Sequence, residues 1–206
     1  GGGDDTSTTT FTVTVTAVND APSFTKGSDQ SIFEDAGAQT ISNWAADIIP
    51  GGGNDESGQA LHFELSADNT GLFSVQPAIS ADGTLTYTPA ANAAGSAVVE
   101  VSLYDDGDTA NGGSNVQTQS FNIVLDGIND APAYTKGADI TVLEDAAEQS
   151  ISDWATGITP GGGADESAQA LTFNVTNNTD PALFSSQPAV TAAGTLSFTP
   201  AANANG

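Results

Sequence analysis

Apolar side chains alternate with polar ones along most of this chain. Phe11, Val13 and Val15 alternate with Thr10, Thr12 and Thr14. Leu61, Phe63 and Leu65 alternate with His62 and Glu64, and Val99, Val101 and Leu103 with Glu100 and Ser102. Leu85 and Tyr87 sit among Thr84, Thr86 and Thr88, and Phe121, Ile123 and Leu125 bracket Asn122 and Val124. A period of two puts one face on a core and the other in water, so these stretches predict half-buried antiparallel strands. Turn signals separate them: Asp82-Gly83, Asp106-Gly107, Asn111-Gly112-Gly113, and Pro50 with the three glycines that follow. No segment sustains a 3.6-residue period, and Ser42–Ala46 has room for one helical turn at most. About seven strands in a unit of ~110 residues predict an all-β fold, a two-sheet Greek-key sandwich.

The pattern also repeats. VNDAPSFTKG at Val18–Gly27 returns as INDAPAYTKG at Ile128–Gly137, and PGGGNDESGQALHF at Pro50–Phe63 as PGGGADESAQALTF at Pro160–Phe173. LFSVQPAISADGTLTYTPAANAAG at Leu72–Gly95 returns as LFSSQPAVTAAGTLSFTPAANANG at Leu183–Gly206. The repeat divides the chain into three expected parts. Residues 1–18 are the last strand and tail of a preceding repeat, residues 19–128 a complete repeat, and residues 129–206 a following repeat without its last strands. A unit this long can bury its own core, unlike the short units of a solenoid. Open sheet edges in the third part invite pairing with another chain, for example with residues 11–16 of a second molecule.

Composition narrows the chemistry. Cysteine and methionine are absent, so neither disulfides nor thiolate metal sites support the fold. Twenty-six acidic residues face two basic ones, Lys26 and Lys136, for a net charge of −24. That balance argues against nucleic acid or an anionic membrane as partner, because both need Lys and Arg. No apolar run is long enough to span a membrane. The acids have two readings: a solvating surface, or clusters that bind cations. Trp44 and Trp154 likewise read either as sugar platforms or as core anchors, the second being the ordinary role of a buried aromatic. His62 has Thr172 as its counterpart and receives no role.

Position favours cation binding for some of the acids. Asn19-Asp20 and Asn129-Asp130 fall at the unit boundaries, Glu34-Asp35 and Glu144-Asp145 after a first strand, and Asp55-Glu56 and Asp165-Glu166 after the glycine run. Asp105 follows a late strand, and Asp126 precedes the second boundary. All lie at strand ends or in loops, which a sandwich gathers at its two poles. Calcium suits such a set, since it accepts six to eight oxygens in irregular geometry; zinc and copper would need His or Cys. The plainer reading of Asn-Asp-Ala-Pro is a linker turn stiffened by Pro22 and Pro132.

The boundary NDAPSF and NDAPAY resemble the cadherin linker. Ser31–Glu34 and Thr141–Glu144 resemble the Val-x-Glu that closes the first cadherin strand, and Val101–Gly107 resembles the Val-x-Ala-x-Asp-x-Gly segment. EDAGAQ, NWA, GTLTYTPAANA and DGDTANGG resemble the cadherin-like tandem repeats of giant bacterial RTX-type surface adhesins. The resemblance implies a cadherin-like, immunoglobulin-like sandwich with Ca²⁺ at its junctions. By it, Glu34, Asp126, Asn129 and Asp130 would meet Asp165 and Glu166 of the next unit. Asn19 and Asp20 would meet Asp55, Glu56 and Asp105, and Glu144 would repeat the role of Glu34. The Leu-Asp-Arg-Glu of cadherins is missing, Asn54-Asp55-Glu56 replaces Asp-x-Asp, and Ala21 and Ala131 replace the second linker Asn. Fewer ions per junction are therefore implied than a cadherin junction holds.

Two functions compete at this level. One is a calcium-stiffened extender of an extracellular, cell-surface adhesin, secreted by a type I-like system and serving adhesion or biofilm formation, with neighbouring repeats of the same chain as partners. The other is a module that binds carbohydrate or ice, to which the Thr-x-Thr run of Thr8–Thr16 would point; its counterpart at Thr118–Asn122 breaks that regularity. An enzyme is not expected, since no nucleophile or His constellation is present and the main acidic pairs recur from unit to unit.

Overall fold

The computed structural model describes residues 1–3 and 5–206. The fold is all-β, with short 3-10 turns as its only helical elements among the described residues. The complete unit contributes β1 (Ser23–Thr25), β2 (Gln30–Phe33), β3 (Gln39–Ile41), β4 (Ala46–Ile49), β5 (His62–Ala67), β6 (Phe73–Ile79), β7 (Leu85–Pro89), β8 (Gly95–Tyr104) and β9 (Val116–Asp126). One sheet has the order β2-β9-β8-β5 and the other β3-β7-β6, with β1 paired to β4. These nine segments amount to seven strands. The first run is split into β1 and β2, which join different sheets. The next is split into β3 and β4 by the turn at Ser42–Ala45, where Asn43 takes φ 54° and no helical turn forms.

Neighbours pair antiparallel except β2 with β9, which run parallel with Gln30 opposite Ile123 and Phe33 opposite Asp126. This pairing brings the end of the first strand to the end of the last, at one pole of the sandwich. The long β8–β9 ladder, from Gly95 opposite Leu125 to Tyr104 opposite Val116, is the spine of its sheet. Its inward residues Val99, Val101, Leu103, Phe121, Ile123 and Leu125 are buried, as alternation requires. Trp44 reaches them from the β3–β4 turn. It is 3% exposed, its ring centroid lies 4.3 Å from that of Phe121, and its indole N–H donates to the Ser28 carbonyl at 3.0 Å. Trp44 is thus a core anchor and not a sugar platform.

The following unit repeats the pattern only in part: β10 (Ala133–Lys136), β11 (Gln149–Ile151), β12 (Ala155–Thr159), β13 (Phe184–Val190) and β14 (Leu196–Pro200). The counterparts of β2 and β5, residues 140–143 and 172–177, form no strand. Both pair in the complete unit only with β9 or β8, whose counterparts this unit lacks. Residues 11–15 form no strand either, contrary to their alternating pattern, because strand propensity without a partner does not hold an extended chain. Phe11, Val13 and Val15 are 86%, 73% and 90% exposed.

Candidate metal centre

Among the described residues four acidic side chains are buried: Glu34, Glu56, Asp105 and Glu166. Each lies at a pole, and each holds the backbone of an adjacent segment with one carboxylate oxygen. Glu34 follows β2 and accepts from the Ile128 N–H at 2.8 Å, while its own N–H donates to the Asp126 carbonyl at 2.9 Å. This clamp exists because β2 and β9 run parallel and end together. Glu56 follows the Gly51–Gly53 turn and accepts from the Asp20 N–H at 2.6 Å. Glu166 repeats this with the Asp130 N–H. Asp105 closes β8 and accepts from the Gly107 N–H at 2.8 Å and the Asn19 side-chain amide at 3.1 Å.

The second oxygen of each carboxylate has no donor. Glu34 Oε2, Glu56 Oε2, Asp105 Oδ2 and Glu166 Oε2 are all buried and unpartnered, and so is Gln59 Oε1. A buried carboxylate without a counter-charge costs on the order of several kcal/mol. Neither basic residue supplies that charge. Lys26 donates to the Ser120 carbonyl at 2.7 Å, and Lys136 pairs with Asp139 at 2.6 Å. The glycine run fits around these oxygens. A β-carbon at Gly51 would strike Glu56 Oε2, and one at Gly161 would strike Glu166 Oε2.

The other expected ligands differ in placement. Asp20, Asp55, Asp126, Asn129, Asp165 and Glu144 are exposed, and Asn19 and Asp130 are half-buried. Asp126 Oδ2 accepts from the Ser31 hydroxyl at 3.0 Å. Asp165 reaches across the boundary to Gly127, where a β-carbon would lie 2.5 Å from its Oδ2. Asn19 ties the linker down: its amide N–H₂ donates to Asp105 and to the Ser114 carbonyl at 2.7 Å, and its Oδ1 accepts from Gln59 Nε2 at 2.6 Å. Asn129 Oδ1 accepts from Gln169 Nε2 at 3.1 Å in the same way. Glu144 has no equivalent of Ile128 to hold.

Sequence reasoning passed over Gln59 and Gln169, although both recur in ESGQAL and ESAQAL, and it passed over Asn92, which stands beside Gly162 of the next unit. Among the described residues, no three His, Cys, Asp or Glu side chains gather closely enough to hold a metal ion. No carboxylate cage is assembled, and each of the four buried carboxylates keeps one oxygen without a hydrogen-bond donor. Asn, Gln and backbone carbonyl oxygens, which a hard cation also takes, lie beside them at both poles. The donor set is all oxygen and fits calcium rather than a softer metal.

No protein-family model matches the chain, and no curated protein matches it. Among solved structures it is similar to the protocadherin GammaB4 extracellular domain, at 16% identity and a TM-score of 0.40. That likeness covers 90% of this chain and 30% of the other. Among the described residues no helix is long and apolar enough to cross a membrane, which leaves membrane-spanning β-barrels unaddressed.

Proposed function

We propose that this chain is a spacer segment of an extracellular, cell-surface adhesion protein, and that calcium at the junctions between successive sandwiches stiffens it. The units are residues 19–128 and 129–206, with residues 1–18 belonging to the unit before. The observation that carries the reading is the set of buried, unpartnered carboxylate oxygens on Glu34, Glu56, Asp105 and Glu166, in a protein whose two lysines are engaged elsewhere.

A bound cation supplies positive charge where these carboxylates converge on the linkers. Glu56 and Asp105 with Asn19 and Asp20 would hold it at the first boundary. Glu34 and Glu166 with Asp126, Asn129, Asp130 and Asp165 would do so at the second. Without it, mutual repulsion among the acids loosens the joint. With it, each linker is fixed to the pole of its neighbour and the array becomes a rod that carries a distal binding region away from the cell. Extracellular calcium is millimolar, so modest affinity suffices. No catalysis is part of this role, and a bacterial adhesin of the RTX type, active in adhesion or biofilm formation, is the parent protein we favour. The test is a calcium titration that follows melting temperature and radius of gyration. Calcium is expected to raise the first and narrow the distribution of the second. A chain that responds in neither is not calcium-stiffened.

A further inference from the structure

The joint between residues 19–128 and 129–206 has a second feature that involves no carboxylate cage. Asn92, in the turn after β7, takes φ 54°, and its N–H donates to Asp35 Oδ1 at 2.8 Å. The next unit repeats this device: Asn203 takes φ 57°, and its N–H donates to Asp145 Oδ1 at 3.0 Å. Each unit therefore presents an asparagine at its lower pole on a turn set by its own aspartate. Asn203 thus takes the same shape as Asn92.

In the complete unit the turn meets the glycine run of the next one. The side-chain amide of Asn92 stands where a β-carbon at Gly162 would be, next to the Asp130 carboxylate. A β-carbon at Gly163 would lie 2.7 Å from the Asn92 carbonyl oxygen. The upstream copy of this surface is bare: Gly52 meets only Asp20, at 2.9 Å, and Gly53 meets only Asp55. Backbone shape explains glycine at 161 and 163, whose φ values of 140° and 80° disfavour a side chain. Gly162 lies outside the left-handed region. What excludes a side chain there is the docked asparagine together with Asp130.

We propose that Asn92 and the Gly161–Gly163 turn form a direct clasp between successive units, which fixes the joint without metal. Its partner is the next unit of the same array, and every unit carries both halves: Asn92 and Asn203 below, Gly51–Gly53 and Gly161–Gly163 above. The clasp goes beyond the calcium reading and stands without it, since calcium would add rigidity to a joint already in register.

The test is the distance between nitroxide labels at Ser66→Cys and Ser186→Cys, in chelator and at a salt concentration that screens the acids. The otherwise unaltered chain is expected to give one narrow distance. Gly162→Val and Asn92→Ala are each expected to broaden it at least two-fold. Gly52→Val, the same change on the bare copy, is expected to leave it narrow, and so is Asn203→Ala. Tryptophan fluorescence of Trp44 and Trp154 reports that both units stay folded; if Gly162→Val does not fold, Asn92→Ala decides. A broad distance in chelator that only calcium narrows would overturn the clasp while supporting the metal. Equal widths for Gly162→Val and Gly52→Val would overturn it as well. A melting temperature unmoved by calcium, with the distance narrow throughout, would remove the metal and leave the clasp.

Discussion

The two units share a sequence pattern but differ in what their lower poles can hold. Glu34 is 1% exposed, whereas Glu144 at the same place is exposed. The difference is the last strand. Glu34 is buried because β9 ends beside it and Ile128 donates to it, and no such segment follows Glu144. The upper poles show no such contrast, for Glu166 is as buried as Glu56 and holds its linker N–H in the same way. The upper half of a junction is built from one loop and the preceding linker, and so forms in either unit. At the lower pole the asparagine turn forms in both units, whereas the Glu34 clamp draws on β9 as well.

The largest effect expected from this contrast concerns a cleft in residues 129–206. An apolar cleft of about 640 Å³ runs past Ile140, Val142, Trp154, Phe184, Leu196 and Phe198. In the complete unit Phe121, Ile123 and Leu125 of β9, at 2%, 0% and 2% exposure, close the matching space. Phe11, Val13 and Val15 of a second copy have the same spacing and are exposed. The chain is expected to associate head to tail as concentration rises, in a contact that does not close on itself. A peptide of residues 116–126 in excess should dissolve these assemblies, and Phe11→Asp with Val13→Asp should leave monomers. Sedimentation analysis checks this. A monomer at every concentration, with residues 140–143 strongly protected from hydrogen exchange, would break the comparison.

The next effect is on calcium. Glu34→Gln should abolish most of the calcium-induced rise in melting temperature of the complete unit, while Glu144→Gln should change nothing. At a calcium concentration 100-fold above Kd the linkage amounts to about 2.7 kcal/mol, enough to separate the variants by several degrees. Calorimetry with and without chelator reads it directly. An equal loss in both variants would mean that burial by β9 is irrelevant to the site.

Most of the strands, the repeat and the Trp44 anchor were legible in the chain, because period and turn chemistry are local. The four buried acids lie among the twelve residues singled out as ligands, but their burial was not legible. The pattern could not rank them. Burial of Glu34 depends on a parallel pairing that brings it to Ile128, 94 residues on, and no local signal encodes that register. Residues 11–15 misled for the mirror reason: they have the propensity of a strand, but the partner that makes one is missing. Gln59 and Gln169 were invisible because a loop glutamine has no chemistry of its own until the fold sets it beside Asn19 or Asn129. Asn92 was hidden by its lack of charge.

Acid should separate the units further. Asp29 and Asp139 occupy the same position. Asp29 is held below the usual carboxylate range first by the Asn122 side-chain amide and then by the Asn122 N–H, each at 3.0 Å. Asp139 is held down by the Lys136 ammonium, through its hydrogen bond and then its charge. A depressed carboxyl contributes stability above its unfolded value, about 3.9, and loses it as pH falls through the folded value. Asn122 belongs to β9, so acidification should loosen the complete unit at the β2–β9 pair. In the second unit it should release only an exposed lysine. Asp29→Asn should flatten the acid limb of the melting curve, whereas high salt should weaken the Asp139 effect and spare that of Asp29. Carboxyl titration by NMR distinguishes the two.

The smallest effect lies in the core. Tyr87 is 1% exposed, its hydroxyl has no partner, and burial pushes its phenol above the usual range. The second unit has Phe198 there, opposite Gln149 as Tyr87 is opposite Gln39. Both rings keep the same edge-on contact, Tyr87 with Phe73 at 6.0 Å and Phe198 with Phe184 at 5.7 Å. The hydroxyl therefore adds nothing to packing and loses its bonds to water on folding. Tyr87→Phe should stabilise the complete unit by about 1 kcal/mol. The raised phenol also sets a sign at alkaline pH: the unfolded chain releases its proton near pH ~10 while the folded one keeps it, so stability falls as pH rises past that value. Tyr87→Phe should remove this part of the fall. The reverse change, Phe198→Tyr, should cost less than Tyr87→Phe gains, because the open cleft lets water reach a hydroxyl at that site. Urea melts of the two variants at neutral and alkaline pH measure the difference, and equal and opposite values would mean that the cleft is closed in solution.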